Sequence, residues 1–118
     1  MSKILAVDDD NLMTDFYSAF FEEAGYEVST APDATAALVK FREFKPDLVI
    51  LDAEMPAGGG ERVFEIARTV LGSGIPVLFV TGLPERVINF AITQPRVRVF
   101  KKPVKSDELL SAVKELLG

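Results

Sequence analysis

The chain has 118 residues and a net charge of -5, a length that fits one domain with a core of its own. It contains no cysteine and no histidine, which excludes disulfides, thiol or histidine catalysis and the common zinc sites. Any chemistry must therefore use carboxylates, lysines, hydroxyls, the backbone or a hard cation. An acidic chain with scattered basic residues binds phosphate backbones poorly, so we expect no direct nucleic-acid binding.

The sequence also argues against a membrane segment. No apolar run approaches the roughly 20 residues that span a bilayer. The first three residues lead straight into an apolar run that is too short for a signal peptide and has no small-residue cleavage site. We therefore expect a cytoplasmic protein without membrane contact.

In the first part of the chain, a short apolar run precedes a longer amphipathic one. Lys3–Val7 predicts a buried strand, and Asn11–Ala24 predicts a helix with Gly25 as its stop. Helical spacing places a largely apolar stripe on this helix, formed by Leu12, Phe16, Ala19, Phe20 and Glu23.

The middle of the chain repeats this alternation. Glu27–Ala31 predicts a second strand, and Asp33 can cap a helix that runs to about Phe44. Asp47–Leu51 predicts a third strand that is apolar almost throughout. A loop rich in Pro and Gly over residues 55–60 and a helix from Glu61 to about Leu71 follow.

The last part of the chain adds two further units. Pro76–Val80 predicts a fourth strand, and residues 84–92 predict a short helix. Val97–Phe100 predicts a fifth strand, and the last helix starts at Ser106 and ends near Leu117.

Five strand-then-helix units predict a single α/β domain over residues 1–118. Strands this uniformly apolar are typical of a parallel sheet covered on both faces. Right-handed crossovers bring the carboxyl ends of all strands to one edge, where ligand sites of such sheets lie.

Polar residues that could bind a ligand or take part in chemistry follow four of the strands. They are Asp8, Asp9 and Asp10 after the first strand, Asp52 after the third, Thr81 after the fourth and Lys102 after the fifth. Clustered carboxylates repel one another unless a cation neutralises them, and Mg²⁺ with oxygen ligands is the natural choice. A phosphoryl group held on a carboxylate fits between Mg²⁺ and Lys102, with Thr81 donating to one of its oxygens. Transfer of such a group needs positioning and charge neutralisation more than a general base, which suits a chain without histidine.

The ordered set of motifs resembles the receiver domain of two-component response regulators across nearly the whole chain. The motifs are Val7-Asp8-Asp9, Leu51-Asp52-Ala53-Glu54-Met55-Pro56 with Gly60, Val80-Thr81-Gly82 and Phe100-Lys101-Lys102-Pro103. The resemblance implies a flavodoxin-like (βα)5 fold with three layers and strand order 2-1-3-4-5. It also implies a signalling switch rather than an enzyme that turns over an external substrate.

The resemblance further implies roles for individual residues. Asp52 accepts a phosphoryl group from a sensor histidine kinase or a histidine phosphotransfer protein. Asp9, Asp52 and the backbone carbonyl of Glu54 ligate Mg²⁺ directly, and Asp8 acts through water. Lys102 pairs with the acceptor or the phosphoryl group, Thr81 moves toward the phosphate, and the Lys102-Pro103 bond is cis. A downstream protein or a fused output domain receives the signal.

Several residues depart from the receiver pattern or have a separate predicted role. Receivers usually carry Tyr or Phe where this chain has Val99, and Phe100 should face the opposite side of the sheet. We interpret Asp10 as a helix cap alone, and Lys101 and Lys105 as surface residues. Acidic Glu54 is placed to steer the attacking water and so to tune dephosphorylation.

Two alternatives remain open at this point. An enzyme of the haloacid-dehalogenase type also uses an Asp nucleophile with Mg²⁺. Such an enzyme has a second Asp at the position that Glu54 occupies here, and it usually has a substrate-covering cap, for which this chain has no room. A pseudo-receiver would keep the fold as an interaction module and lack the phosphorylation chemistry.

Overall fold

A computed structural model of the chain describes residues 1–53, 69–70 and 72–118. Its strands are β1 (Lys3–Val7), β2 (Glu27–Ala31), β3 (Leu48–Leu51), β4 (Val77–Thr81) and β5 (Val97–Lys101). The helices within the described ranges are α1 (Asn11–Glu23), α2 (Ala34–Phe44), a 3₁₀ turn (Pro84–Arg86), α3 (Ile88–Thr93) and α4 (Ser106–Leu117). The predicted loop at 55–60 and nearly all of the predicted helix at 61–71 lie outside the described residues.

The five strands form one parallel sheet in the order β2-β1-β3-β4-β5. Ala6 lies opposite Ile50 in the central pair, and Val80 lies opposite Phe100 in the outer pair. Because every pair is parallel, the carboxyl ends of all five strands share one edge. The flavodoxin-like architecture predicted above is thus confirmed, including the strand order.

Side chains alternate between the two faces of the sheet and form two separate cores. The first, which we name the α1/α4 cluster, includes Ile4 and Ala6 of β1 together with Tyr17, Phe21, Leu109 and Val113 of the two helices. The second, which we name the α2 cluster, includes Leu5 and Val7 of β1 together with Ala34, Ala37, Val70 and Val87. The sheet is therefore covered on both faces, which gives three layers.

Helix α1 begins as predicted and ends at Glu23, one residue before the predicted Ala24, and the predicted apolar stripe is wrong. The Asp10 carboxylate accepts from the Leu12 N–H at 2.9 Å, which caps the helix. At the other end Gly25 has φ 99°, and the Tyr26 N–H donates to the Phe21 carbonyl at 3.0 Å, a Schellman ending.

The buried face of α1 is formed by Thr14, Tyr17 and Phe21, whereas Leu12 is 79% exposed. Ala19 and Glu23 are also exposed, and Phe16 and Phe20 are half-buried at the flank. Both stripes have helical spacing, so the packing of α1 against the sheet decides which one is buried.

Strand boundaries differ from the predictions by one residue at four places. Asp47 precedes β3, where its carboxylate accepts from the Lys3 N–H at 2.8 Å. Pro76 precedes β4, since it has no N–H to add to the ladder, and Thr81 completes that strand. Lys101 likewise completes β5.

The segment predicted as one short helix at 84–92 is instead the 3₁₀ turn followed by α3. Within the described residues, no helix combines the length and the apolar character that crossing a bilayer requires.

Candidate functional site at the carboxyl edge of the sheet

The backbone ladder of the sheet continues one residue past three strands and so positions their terminal side chains. The Asp8 N–H donates to the Ala31 carbonyl at 3.1 Å, and the Asp52 N–H donates to the Val7 carbonyl at 3.1 Å. The Lys102 N–H donates to the Thr81 carbonyl at 2.9 Å. Each of these residues is therefore held on rigid sheet backbone at the shared edge.

A lysine bridges two carboxylates at this edge. The Lys102 ammonium lies 3.0 Å from an Asp8 oxygen and 3.2 Å from an Asp52 oxygen. Asp8 is 1% exposed and Asp52 is 3% exposed, so both carboxylates are removed from bulk water. Buried charges need partners, and within the described residues one ammonium bridges the two carboxylates, so these three groups together carry a net negative charge.

The pKa values of the bridged groups reflect this crowding. Burial raises the pKa of Asp8, assisted by the charge of Asp52, although the Asp10 N–H at 2.9 Å and Lys102 both oppose the rise. Burial also tends to lower the pKa of Lys102, but the hydrogen bond to Asp8 and the charge of Asp52 outweigh it, so the pKa of Lys102 is raised. Lys102 therefore stays charged at neutral pH.

A third carboxylate completes an acidic cluster. Asp8, Asp9 and Asp52 each offer an oxygen, and these oxygens lie within 4.8 Å of one another. Asp9 is exposed, so the cluster opens to solvent on its side. Three carboxylates with no nitrogen or sulfur donor among them match the oxygen ligands that Mg²⁺ prefers.

Most of the other predicted site residues lie at or just after the ends of β4 and β5. Thr81 is fully buried at the end of β4, and its hydroxyl oxygen accepts from the Leu83 N–H at 3.1 Å. The Lys102-Pro103 bond is cis, as predicted. Lys101 and Lys105 are exposed, also as predicted. Glu54, with its predicted backbone ligand and its water-steering carboxylate, lies outside the described residues.

The substituted aromatic position behaves as strand alternation predicts. Val99 packs against the α2 cluster, whereas Phe100 packs against the α1/α4 cluster. The two side chains therefore lie on opposite faces of the sheet.

Sequence reasoning missed one polar group beneath the site. Tyr17 is 1% exposed, and among the described residues its hydroxyl is a buried side-chain oxygen without a hydrogen-bond partner. An aromatic residue at helical spacing signals core packing, and nothing local in the sequence reveals an unpaired hydroxyl. Only the tertiary structure could have identified it.

The sequence of the chain matches a model of a known protein family. Residues 4–114 match the model described as "Response regulator receiver domain". The match covers almost the whole chain, and the fold agrees with it. The chain therefore belongs to the response regulator receiver domain family, a class of signalling domains.

Curated relatives with similar sequences are about twice as long as this chain. It is 34% identical over 120 residues to "Transcriptional regulatory protein CpxR homolog" of Haemophilus influenzae, covering 99% of this chain and 51% of that protein. It is 30% identical over 116 residues to "DNA-binding response regulator MtrA" of Mycobacterium tuberculosis, covering 98% of this chain and 50% of that protein. The chain thus spans about half the length of these relatives.

Solved structures resemble the chain over its full length. The receiver domain protein of Methanospirillum hungatei superposes with a TM-score of 0.84 at 30% identity, covering 99% of this chain and 94% of that chain. The chemotaxis protein CheY4 of Vibrio cholerae superposes with a TM-score of 0.83 at 29% identity, covering 99% of each chain.

Proposed function

We propose that this domain accepts a phosphoryl group on Asp52 from a phosphohistidine and thereby switches its binding to a partner. The observation that carries the proposal is the Lys102 ammonium held between the nearly buried carboxylates of Asp8 and Asp52, with Asp9 adjacent. A site of this kind has surplus negative charge and one fixed cation, which suits a cation-assisted transfer of a phosphoryl group.

In the proposed transfer, an oxygen of Asp52 forms a bond to phosphorus. The bond between phosphorus and the donor's imidazole nitrogen breaks, and its electron pair stays on the imidazole. Lys102, 3.2 Å from Asp52 before transfer, offsets the charge on the phosphoryl oxygens. When the switch resets, the oxygen of a water bonds to phosphorus, the bond between phosphorus and the Asp52 oxygen breaks, and its electron pair stays on the Asp52 carboxylate. Inorganic phosphate departs with both protons of the water.

The carboxylates also support a proposal for Mg²⁺. Asp9 and Asp52 would ligate the ion directly, Asp8 would act through water, and the Glu54 carbonyl would be a further ligand. Mg²⁺ bound there supplies positive charge beside the phosphoryl oxygens. We further propose that the Thr81 hydroxyl, whose oxygen accepts from the Leu83 N–H at 3.1 Å, donates its proton to a phosphoryl oxygen once Asp52 is phosphorylated.

An apolar cleft beside the site supports a protein as the phosphoryl donor. Met13, Phe16, Pro103 and Val104 line it together with Lys102, and its volume is about 520 Å³. Exposed apolar surface of this kind marks places where proteins dock. A sensor histidine kinase or a histidine phosphotransfer protein that seats an apolar side chain here would present its phosphohistidine next to Lys102.

The output of the switch is proposed by likeness alone. The relatives named above as DNA-binding or transcriptional regulators are twice as long, so a fused output domain is one route for the signal, and a separate downstream protein is the other. Nothing in the charge of this domain favours direct contact with nucleic acid, since its net charge is -5.

Intact mass spectrometry after incubation with acetyl phosphate and Mg²⁺ tests the proposal. We expect one phosphoryl group on the wild type, none on Asp52→Asn, and one on Asp15→Asn, an exposed carboxylate of α1 that serves as the matched control. Uptake that persists in Asp52→Asn would refute the acceptor assignment. No uptake in the wild type would support the pseudo-receiver instead, and continuous release of acetate and phosphate at enzymatic rates would support a hydrolase.

A further inference from the structure

The hydroxyl of Tyr17 is a polar group that the proposed chemistry does not use. It is buried in the α1/α4 cluster, and within the described part of the chain it has no hydrogen-bond partner. A buried hydroxyl left unpaired costs free energy, so its presence in the core calls for a physical reason.

Strand register places this hydroxyl beneath the charged edge. Ala6, Ile50 and Phe100 contribute to the α1/α4 cluster on the same face as Tyr17. Two residues further along the same strands, and so on the same face, come Asp8, Asp52 and Lys102. The ionic site is therefore the next layer above the cluster in which Tyr17 packs.

The direction of the helix brings the hydroxyl toward that layer. Helix α1 begins at the carboxyl edge of the sheet, and helical side chains lean toward the N-terminus of their helix. Burial raises the pKa of Tyr17, and the charges of Asp8 and Asp52 raise it further, which agrees with a position near both carboxylates. Tyr17 therefore keeps its proton and is a hydrogen-bond donor.

Phosphorylation of Asp52 changes which donors Asp8 retains. Before transfer, the Asp8 carboxylate accepts from Lys102 at 3.0 Å and from the Asp10 N–H at 2.9 Å. A phosphoryl group on Asp52 brings additional negative charge, which draws the Lys102 ammonium toward its oxygens. Asp8 then loses part of its contact with Lys102 while it is still almost completely buried.

We propose that Tyr17 is a positioning residue that favours the phosphorylated state, because its hydroxyl donates to the Asp8 carboxylate when Lys102 turns to the phosphoryl group. A group that gains a hydrogen bond in one state only shifts the equilibrium toward that state. This role rests on the proposed function, since it requires that Asp52 accept a phosphoryl group.

The test compares Tyr17→Phe with Tyr26→Phe, the other tyrosine of the chain, which is half-buried and lies just before β2. Calorimetric titration with beryllofluoride in the presence of Mg²⁺ measures affinity for a phosphoryl mimic. We expect the Kd for beryllofluoride to be about tenfold higher in Tyr17→Phe, because one hydrogen bond is lost, and to be unchanged in Tyr26→Phe. The acyl phosphate formed with acetyl phosphate should also decay faster in Tyr17→Phe.

Two further measurements separate this role from simple packing. Urea unfolding of the ligand-free protein should show Tyr17→Phe to be as stable as the wild type or more so, because the change removes an unpaired hydroxyl. The chain has no tryptophan, so the ultraviolet difference spectrum on adding beryllofluoride reports its two tyrosines. We expect a tyrosine signal that is lost in Tyr17→Phe and retained in Tyr26→Phe.

Equal affinity and equal decay in Tyr17→Phe and wild type would overturn the role of Tyr17. A loss of ligand-free stability in Tyr17→Phe would also overturn it, because the hydroxyl would then have a partner before phosphorylation. If the wild type itself binds no beryllofluoride and takes up no phosphoryl group, the proposed function fails and this role fails with it. Uptake by the wild type with an unaffected Tyr17→Phe removes only the role of Tyr17.

Discussion

Replacing Lys102 with methionine should destabilise the unliganded domain strongly, although the substitution adds apolar surface. Lys102 lies 3.0 Å from Asp8 and 3.2 Å from Asp52, and both carboxylates are almost completely buried. Methionine keeps a similar side-chain length but removes the charge. The two buried carboxylates then lose the ammonium that bridges them.

The magnitude follows from the exposure of the three side chains. Removing one partner from a buried ion pair costs about 3–5 kcal/mol, because the remaining charge is left uncompensated. The Lys102 side chain is 26% exposed, which weakens its attraction to the carboxylates, so we take the lower end of that range, about 3 kcal/mol. With an m-value of about 1.5 kcal/mol per molar urea, the unfolding midpoint should fall by about 2 M.

Urea unfolding followed by circular dichroism at pH 7 without divalent ions measures the effect. Lys101→Met, at an exposed neighbouring residue, is the matched control and should change stability by less than about 0.5 kcal/mol. Adding Asp52→Asn to Lys102→Met should restore part of the loss, since only one uncompensated carboxylate then remains. If Lys102→Met and Lys101→Met unfold at the same urea concentration, the argument that Lys102 holds the two carboxylates together is refuted.

Four further substitutions test other parts of the structure. Burial, together with the charge of Asp52, raises the pKa of Asp8. The folded state therefore binds a proton at Asp8 more tightly than the unfolded chain does. The resulting contribution to stability grows as the pH falls toward 3.8, the ordinary pKa of an Asp side chain. Asp8→Asn should therefore be more stable than the wild type at pH 7, with a difference that shrinks on acidification; a difference independent of pH would contradict this. Asp10→Ala removes the cap of α1 and should cost about 1 kcal/mol, as should Asp33→Ala at the start of α2. Acyl phosphate formation should survive in Asp10→Ala because the backbone N–H that contacts Asp8 remains, and its loss would assign Asp10 more than a capping role. Phe21→Ala, at a fully buried position of α1, should cost about 3–5 kcal/mol in urea unfolding, and a cost below about 1 kcal/mol would show that α1 packs otherwise.

Those parts of the fold that depend on local pattern could be read from the sequence. Lys3–Val7 and Ser106–Leu117 agree with the structure because an apolar run and a run of helical spacing each have clear ends there. The meeting of Asp8, Asp52 and Lys102 at one edge follows from parallel topology, which the five alternating units predict. The order of the strands came from the resemblance to receivers rather than from the pattern itself.

Features that depend on packing between elements could not be read in the same way. Leu12 lies at helical spacing yet is 79% exposed, because α1 meets the sheet through Tyr17 and Phe21 instead. That the hydroxyl of Tyr17 has no partner among the described residues depends on which atoms surround it in three dimensions. Strand ends moved by one residue at Asp47 and Thr81, because hydrogen bonds to neighbouring strands decide where each ladder stops.

The sheet also divides the interior into two halves that pack on its opposite faces. Among the residues that the structure describes, the α1/α4 cluster and the α2 cluster share no side chain, and the backbone of five strands stands between them. Substitutions on opposite faces that lie more than about 7–10 Å apart should therefore combine additively, whereas substitutions in contact on one face should show coupling. Each half can consequently accumulate sequence change without compensation from the other, as long as the strand backbone that carries both is preserved.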